Sequence, residues 1–460
     1  MDSQAQRRCG RPCRDRRGAR PRRRRLFAVA AAVAVLTVAC TPDDAPPAGP
    51  ELPADDPAED ARDETAEDTR DDRVEDEARD ETAALFDEIV EQVAELRELP
   101  VEAEVPLEIV GSEEMIELAL ADAEDDLESI ARSEAVAKAL HQIPEDADLL
   151  ELNEELVEAG VAGLYRPSEN RAYVVGDGDG LSPLEQVTVA HEVVHALQDQ
   201  FVDLTVLEEF DDDPDARMAF TSVIEGDAVR LQEQWAAGHL TEQERQERMA
   251  EEQRIGQEQF ETLQALPRAL LEHFVTPYVA GPEFVAVVTR DVGLPALDEA
   301  LEDPPTTMVE IFDPSLYEEG FSPEPVEVGA APDGYSQLAD WTWGAFEVAL
   351  LLELAEGHSP APELTSAWRG GRLAAFEDGD EVAVAVAWTF VDEVSAGRVC
   401  EAVPDWYATV ADGQPADGQP ADGGGVFEAA DDALVLECSG TDVSFALGQD
   451  VEVARAALGG

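Results

Sequence analysis

Hydrophobic residues recur along this chain at two spacings, and the spacings predict most of its secondary structure. In the segment 163–180, apolar runs on either side of a Pro-Ser-Glu-Asn turn predict two short strands. The segment 113–140 has helical spacing and predicts one or two helices. Apolar positions three or four apart also predict an amphipathic helix before Pro100; they are Leu85, Phe86, Ile89, Val90, Val93 and Leu96. These patterns favour an α+β fold that is mostly helical.

The best-defined helix prediction falls in "LSPLEQVTVAHEVVHALQDQ", which runs from Leu181 to Gln200. Ser182 is a favourable N-cap, and Pro183 suits the first helical position because its missing N–H would have no partner there. Glu185 is placed to complete a capping box with Ser182. We therefore expect a helix from Pro183 through Gln200.

Two histidines, His191 and His195, lie four residues apart on this helix. Side chains at that spacing project from one face, where two imidazoles can bind one Zn²⁺ ion. Glu192 lies about 100° around the helix axis from His191, so it can act as general base on a zinc-bound water without binding the metal. Chance H-E-x-x-H matches are rare because the chain has only six His. The alternative is a His pair with a purely structural role.

A zinc ion of this kind needs a third protein ligand. Downstream, Asp213 is a predicted N-cap and Pro214 the predicted first residue of a second helix, which can return antiparallel to the first. Glu225 lies midway along it and is the expected third ligand. The adjacent Gly226 predicts a packing constraint, which we attribute to close approach of this helix to the metal. Asp227 is the rival ligand, or an acceptor that orients a ligand His.

The N-terminus has the features of an export signal. Residues 1–25 are rich in Arg, and residues 26–39 form an apolar run that is too short to span a bilayer comfortably. Cys40 follows at once, and this order of residues resembles a bacterial lipoprotein signal, with an ordinary secretory signal as the alternative. We expect a signal peptide at 1–39, lipidation of Cys40 and anchoring to the outer face of the bacterial cell membrane.

The balance of charge is strongly acidic, with 104 Asp and Glu against 31 Lys and Arg and a formal net charge of −73. Nucleic-acid binding depends on neutralising phosphates, so this balance argues against a nucleic-acid partner. Acidic residues crowd the segment 40–82, which lacks apolar periodicity and is expected to be a disordered tether. The folded domain is then residues 83–460, including a C-terminal extension.

Two cysteines, Cys400 and Cys438, remain in the predicted folded domain. In an exported chain such a pair is expected to form a disulfide. The bond would fasten the C-terminal segment around the Gly- and Pro-rich loop that separates the two residues. The alternative is a pair of buried free thiols.

The stretch "HEVVHALQDQ" followed by "IEGDA" resembles the gluzincin branch of zinc metallopeptidases, the group that includes thermolysin. The resemblance implies that His191, His195 and Glu225 bind zinc and that Glu192 is the general base. One position departs from the pattern. Thermolysin-type enzymes usually place an Asp four residues after the ligand Glu, and this chain has Val229 there.

Longer stretches resemble poorly characterised bacterial secreted or lipoprotein H-E-x-x-H proteins over most of residues 85–400. They include "AGVAGLYRPSENRAYVV", "TPYVAGPEFV", "PPTTMVEIFDPSLY" and "AWRGGR". The resemblance implies a zincin-like fold, with a small sheet edge beside the zinc helix and a helical C-terminal lobe. The strand "RAYVV", Arg171 to Val175, would be that edge, where a peptide substrate adds as a further strand.

Together these features predict a zinc-dependent peptidase at the cell surface that acts on a peptide or protein substrate. A Tyr, His or Arg should stabilise the oxyanion that develops on the scissile carbonyl; the candidates are Tyr278, Tyr317, His273 and Arg372. Two alternatives stay open. One is a catalytically inactive zinc-binding surface lipoprotein, and the other is a substrate-capturing lipoprotein in which the two His are accidental.

Overall fold

Helices contain 60% of the described residues and strands 17%, so the expectation of a mostly helical α+β fold is confirmed. The structure, a computed structural model, describes residues 29–32, 68–125, 127–178, 180–210, 213–411, 414–415 and 424–459. Cys40, the expected lipidation site, lies outside these residues, and so does most of the expected signal peptide.

Fifteen α-helices are present in the described part of the chain, and none is long and apolar enough to cross a membrane. A 3₁₀-helix at Leu204–Phe210 joins the fifth and sixth helices. The α-helices are α1 (Asp68–Arg97), α2 (Ser112–Asp125), α3 (Leu127–Ala139), α4 (Leu149–Gly160), α5 (Pro183–Val202), α6 (Pro214–His239), α7 (Glu242–Ala265), α8 (Arg268–Val292), α9 (Leu294–Glu302), α10 (Met308–Phe312), α11 (Pro314–Glu319), α12 (Ala345–Glu356), α13 (Pro362–Thr365), α14 (Glu393–Ala411) and α15 (Val451–Leu458).

The strands of the described residues form two sheets, one of four strands in the order β1-β3-β4-β2 and one of seven in the order β5-β6-β7-β11-β10-β9-β8. The strands are β1 (Val29–Ala32), β2 (Leu107–Val110), β3 (Val161–Arg166), β4 (Arg171–Val175), β5 (Ser336–Thr342), β6 (Trp368–Asp378), β7 (Glu381–Phe390), β8 (Gln414–Pro415), β9 (Gly424–Glu428), β10 (Ala433–Ser439) and β11 (Asp442–Gly448).

In the four-stranded sheet, β3 and β4 form the antiparallel pair that the sequence predicted around the Pro-Ser-Glu-Asn turn. The prediction that "RAYVV" is the sheet edge is wrong, because β4 lies between β3 and β2. The sequence analysis did not identify β2, a four-residue apolar strand that pairs in parallel with β4. On the other side of β4 lies β3, and both strands pack against the H-E-x-x-H helix. Strand β1 pairs antiparallel with β3.

The H-E-x-x-H helix α5 begins at Pro183 with the predicted capping box between Ser182 and Glu185, so its predicted start is confirmed. It is buried along most of its length against the sheet, α1 and α6. Helix α1 contributes the fully buried Ile89 and Val93 to this core. Because α1 starts at Asp68, the predicted disordered tether of 40–82 is wrong for its last fifteen residues, which are helical.

The seven-stranded sheet is antiparallel throughout. Because this sheet forms the centre of the C-terminal lobe, the expectation of a helical lobe is wrong. Helices cover both of its faces. Val384, Val386 and Trp388 of β7 belong to the core that α12 and α14 share. The alternate residues Ala383 and Ala385 face α15, which packs close because these side chains are small. A strand that is covered on both faces lacks the alternation of polar and apolar residues. The sequence pattern therefore did not predict the strand in "EVAVAVAWTF".

Cys400 of α14 and Cys438 of β10 form a disulfide across this lobe. The two residues are 38 positions apart, so the bond closes a long loop that contains β8 and β9. It ties a helix of one sheet face to a strand of the sheet itself.

Helices α6 and α8 cross where a glycine of one meets a glycine of the other. A Cβ added to Gly226 would lie 2.9 Å from the Cα of Gly281, and one added to Gly281 would lie 3.0 Å from the Cα of Gly226. Each added Cβ would also overlap backbone atoms that lie still closer, the carbonyl group of Gly281 in the first case and the carbonyl oxygen of Ser222 in the second, so neither residue can carry a side chain without moving a helix. The expectation that Gly226 permits approach to the metal is therefore wrong, since its neighbour is the backbone of α8.

We expect Gly226→Ala to lower the free energy of unfolding by about 1–3 kcal/mol, because the added methyl would overpack the helix crossing. Urea denaturation of the purified protein measures this change. Gly238→Ala is the matched control on the same helix, since a Cβ there meets nothing within 4 Å. It should stabilise the protein by up to about 1 kcal/mol through helix propensity. Equal effects of the two substitutions would contradict the packing argument.

Candidate metal centre

Helices α5 and α6 bring the three expected metal ligands together. His191 and His195 project from one face of α5, with ring centroids 4.7 Å apart. Glu225 projects from α6 toward both rings, and its Oε2 lies 3.1 Å from Nε2 of His191 and 3.5 Å from Nε2 of His195. One donor atom from each residue lies within 4.8 Å of the others, and all three side chains are buried. Two imidazoles and a carboxylate in this arrangement could hold a metal ion.

Both imidazoles are oriented by glutamine side chains that the sequence analysis missed. His191 donates through Nδ1 to Oε1 of Gln232 at 2.6 Å, and His195 donates through Nδ1 to Oε1 of Gln198 at 3.0 Å. The two Nε2 atoms therefore face Glu225. Helical spacing was an available signal, because Gln198 is three residues after His195 and Gln232 is seven after Glu225. These amides take the orienting role that carboxylates or carbonyls take in many zinc sites.

Asp227, the rival third ligand, does not lie with the three donor atoms. Its Oδ2 accepts hydrogen bonds from Arg97 at 2.7 Å and from Gln198 at 3.2 Å, and its Oδ1 accepts one from Arg230 at 3.2 Å. It also does not accept directly from a His. Asp227 is connected to His195 through Gln198, whose amide bonds to both residues.

Glu192 lies beside the donor atoms with a fully buried carboxylate. Within the described part of the chain, neither of its oxygens has a hydrogen-bond partner. Strand β3 passes close above it. A Cβ added to Gly163 would lie 3.0 Å from Cδ of Glu192 and 2.6 Å from Cγ2 of Thr188. Only a glycine at this position lets the strand approach the carboxylate so closely, and the sequence analysis did not single it out.

Burial and mutual attraction shift the pKa values of these groups in opposite directions. Burial raises the pKa of Glu192 well above its usual value and lowers the pKa of His191. At His195 burial is outweighed by attraction to Glu225, which raises the pKa to about 9. At Glu225 the effect of burial is outweighed by attraction to His195 and by hydrogen bonds from His191 and His195, and the pKa falls to about 2. The cluster thus retains a positive charge beside Glu225, which a metal ion would also supply.

The donor set fits a divalent transition metal. Nε2 of His195 is buried without a hydrogen-bond partner among the described residues, as are both oxygens of Glu192. Buried polar atoms of this kind are costly unless something satisfies them. Two nitrogens and one oxygen would leave one position open in a tetrahedral zinc site. The same donors also suit other first-row metals.

Among the described residues, Tyr278 of α8 is the one of the four candidates for oxyanion stabilisation that lies against a residue of the cluster. Its ring stacks on His191 with centroids 6.4 Å apart. It lies one helical turn before Gly281, so the close helix crossing sets its position. The Tyr317 hydroxyl instead donates to the carbonyl of Asp303.

The other two candidates are engaged away from the cluster. His273 uses one ring nitrogen toward the carbonyl of Ala269 at 2.8 Å and the other toward Glu347 at 3.2 Å. Arg372 is in the seven-stranded sheet, where it pairs with Asp340 of the neighbouring strand.

Comparison with known proteins adds no family to this description: no family model, no curated protein and no solved structure matches the chain.

Proposed function

We propose that the protein is a zinc-dependent peptidase in which Glu192 is the general base. One observation carries the proposal: a fully buried carboxylate, without a hydrogen-bond partner among the described residues, lies against two His and a Glu that can share a cation. Such a carboxylate adds nothing to stability, since its desolvation is uncompensated. Its position is that of a base which must meet a water held between itself and the metal.

The chain's residues have distinct parts in peptide hydrolysis. When bound, zinc would polarise the scissile carbonyl and make water more acidic. His191, His195 and Glu225 would hold it. Glu192 removes a proton from the attacking water as the new C–O bond forms, then delivers that proton to the amide nitrogen as the C–N bond breaks.

Tyr278 is the residue we assign to the developing oxyanion. A phenol hydroxyl at this point can donate a hydrogen bond to the carbonyl oxygen as negative charge grows on it. Its stacking on His191 supports this assignment.

The substrate path we propose lies along β3 rather than β4, in a zincin-like arrangement of strand and helix. The antiparallel pairing of β1 with β3 supports it, because that side of β3 can accept an extended backbone. Ala31 of β1 pairs with Gly163, the residue that lies against Glu192. A peptide in the same register would present its backbone beside the general base. The substrate is therefore an extended peptide or an unfolded protein segment.

Metal analysis and peptidase assays of purified variants test the assignment of ligands and base. Replacing His191, His195 or Glu225 by Ala should lower zinc content sharply, because each removes one of three ligands. Glu192→Gln should retain near-stoichiometric zinc and a normal fold. It should lose about 10²- to 10⁴-fold of the hydrolysis of a peptide library, since the amide cannot take a proton.

The wild type and Asp227→Asn complete this experiment. Unchanged hydrolysis by Glu192→Gln would refute the mechanism. Zinc binding by the wild type without hydrolysis of any peptide would identify the catalytically inactive zinc-binding lipoprotein, and absence of zinc would favour the substrate-capturing alternative. Full zinc occupancy in Glu225→Ala, with loss in Asp227→Asn, would transfer the third-ligand role to Asp227.

Tyr278→Phe should lower kcat by about 10²- to 10³-fold with zinc content unchanged, because it removes one donor to the oxyanion and no metal ligand. Steady-state kinetics on a cleaved peptide measures the loss. Tyr317→Phe is the control: it removes a hydroxyl that bonds the carbonyl of Asp303, so its kcat should equal that of the wild type. A normal kcat in Tyr278→Phe would exclude this residue from catalysis.

Export and lipid anchoring through Cys40 remain part of the proposal, since they account for the basic and apolar N-terminal residues. Cys40→Ser should release the protein into the medium or leave it unprocessed, because serine cannot form the thioether to lipid. Membrane fractionation and metabolic lipid labelling measure this. A lipid-modified Cys40→Ser protein in the membrane fraction would contradict the assignment.

A further inference from the structure

Arg97, the last residue of α1, is a fully buried cation near the cluster of His191, His195 and Glu225. Its Nε donates to Oδ2 of Asp227 at 2.7 Å, and one of its terminal nitrogens donates to Asp298 at 2.7 Å. The Arg97 and Asp227 side chains have no exposed surface. Burying such a pair carries a large desolvation penalty, and apolar residues would often stabilise a core better. The pair therefore needs a role other than stability.

The role we assign involves Gln198, which donates a hydrogen bond to Asp227. Its Nε2 donates one hydrogen to Oδ2 of Asp227 at 3.2 Å and the other to the carbonyl of Ile224 at 3.0 Å. A carboxylate and a carbonyl can only accept, so the amide has one permitted orientation. In that orientation its Oε1 faces Nδ1 of His195 at 3.0 Å.

The orientation of the Gln198 amide decides the tautomer of His195. Because Oε1 can only accept, Nδ1 of His195 must carry a proton. With the proton on Nδ1 fixed, Nε2 is the nitrogen that would give up its proton to a metal, and it points toward Glu225, where a metal would bind. His191 is held differently, since its partner Gln232 makes its further contact with Glu233 at 3.5 Å on the surface.

We propose that Arg97 is a positioning residue for the metal ligand His195, acting through Asp227 and Gln198. The inference rests on the metal site proposed above. Arg97 holds the Asp227 carboxylate in place, and that carboxylate holds the Gln198 amide in the orientation that leaves Nε2 of His195 free for a metal. This series of hydrogen bonds connects α1 to the proposed metal centre.

The test measures zinc affinity and metal geometry rather than hydrolysis. Arg97→Met should weaken zinc binding by about 10- to 100-fold, the usual effect of losing a residue that orients a ligand. A competing chromophoric chelator gives the dissociation constant. The Co²⁺-substituted protein should also show an altered visible absorption spectrum, because the ligand field changes when His195 is no longer held. A role in stability alone would not move the spectrum of the folded protein.

Arg230→Met is the matched control. Arg230 pairs with the same carboxylate through Oδ1 and does not share the oxygen that accepts from Gln198. Its loss should leave the zinc dissociation constant within about twofold of wild type and the Co²⁺ spectrum unchanged. Equal weakening in Arg230→Met and Arg97→Met would mean that the cations merely neutralise Asp227, and would overturn the proposal.

If Arg97→Met does not fold, the double variant Arg97→Met with Asp227→Asn replaces it, because it removes both charges of the fully buried pair and leaves only the partly exposed Asp298 and Arg230 without these partners. The substituted carboxamide can present either its oxygen or its nitrogen to Gln198, so the single orientation is lost. Zinc affinity should again fall about tenfold or more, and affinity and spectrum equal to wild type would overturn the proposal. Failure of the wild type to bind zinc would instead refute the proposed function on which the inference rests.

Discussion

The structure around α5 and α6 is governed by the cost of removing four ionisable side chains from water. His191, Glu192, His195 and Glu225 each have at most 1% of their surface exposed. Burial of charged groups without compensation costs far more than the net stability of a domain allows. Glu225 compensates His195 through opposite charge and lies 3.1 Å from Nε2 of His191, within hydrogen-bond distance. Glu192 has no hydrogen-bond partner among the described residues, and its uncompensated burial is what distinguishes this cluster from a structural ion pair.

Close backbone packing makes that burial possible. Gly163 lets β3 lie against the Glu192 carboxylate, and Gly226 with Gly281 lets α8 lie against α6. The second contact also brings Tyr278 to the face of His191. Layers packed this closely keep bulk water away from the donors, so the field between the charges is weakly screened and each interaction within the cluster is strengthened.

Residues outside the cluster set the orientation of the donors. Gln198 and Gln232 each accept the Nδ1 proton of one imidazole, which directs both Nε2 atoms to Glu225. The C-terminal lobe is organised separately, around a seven-stranded sheet with its own core and a disulfide. It contributes none of the three donor residues of the cluster, so it bears on the site only through the packing of helices such as α6 and α12.

Features that depend on a few neighbouring residues were predictable from the sequence. The capping box of α5, the cap of α6 and the spacing of His191 and His195 are local, because one helical turn decides which side chains share a face. Glu225 could be placed on a second helix for the same reason. Tertiary contacts decided the rest. That Gly226 faces Gly281, that β4 is an inner strand and that Arg97 reaches Asp227 from 130 positions away all depend on which elements pack together. Local propensity carries no information about such pairings, since each arises from the shape and charge of surfaces that meet only when the chain has folded.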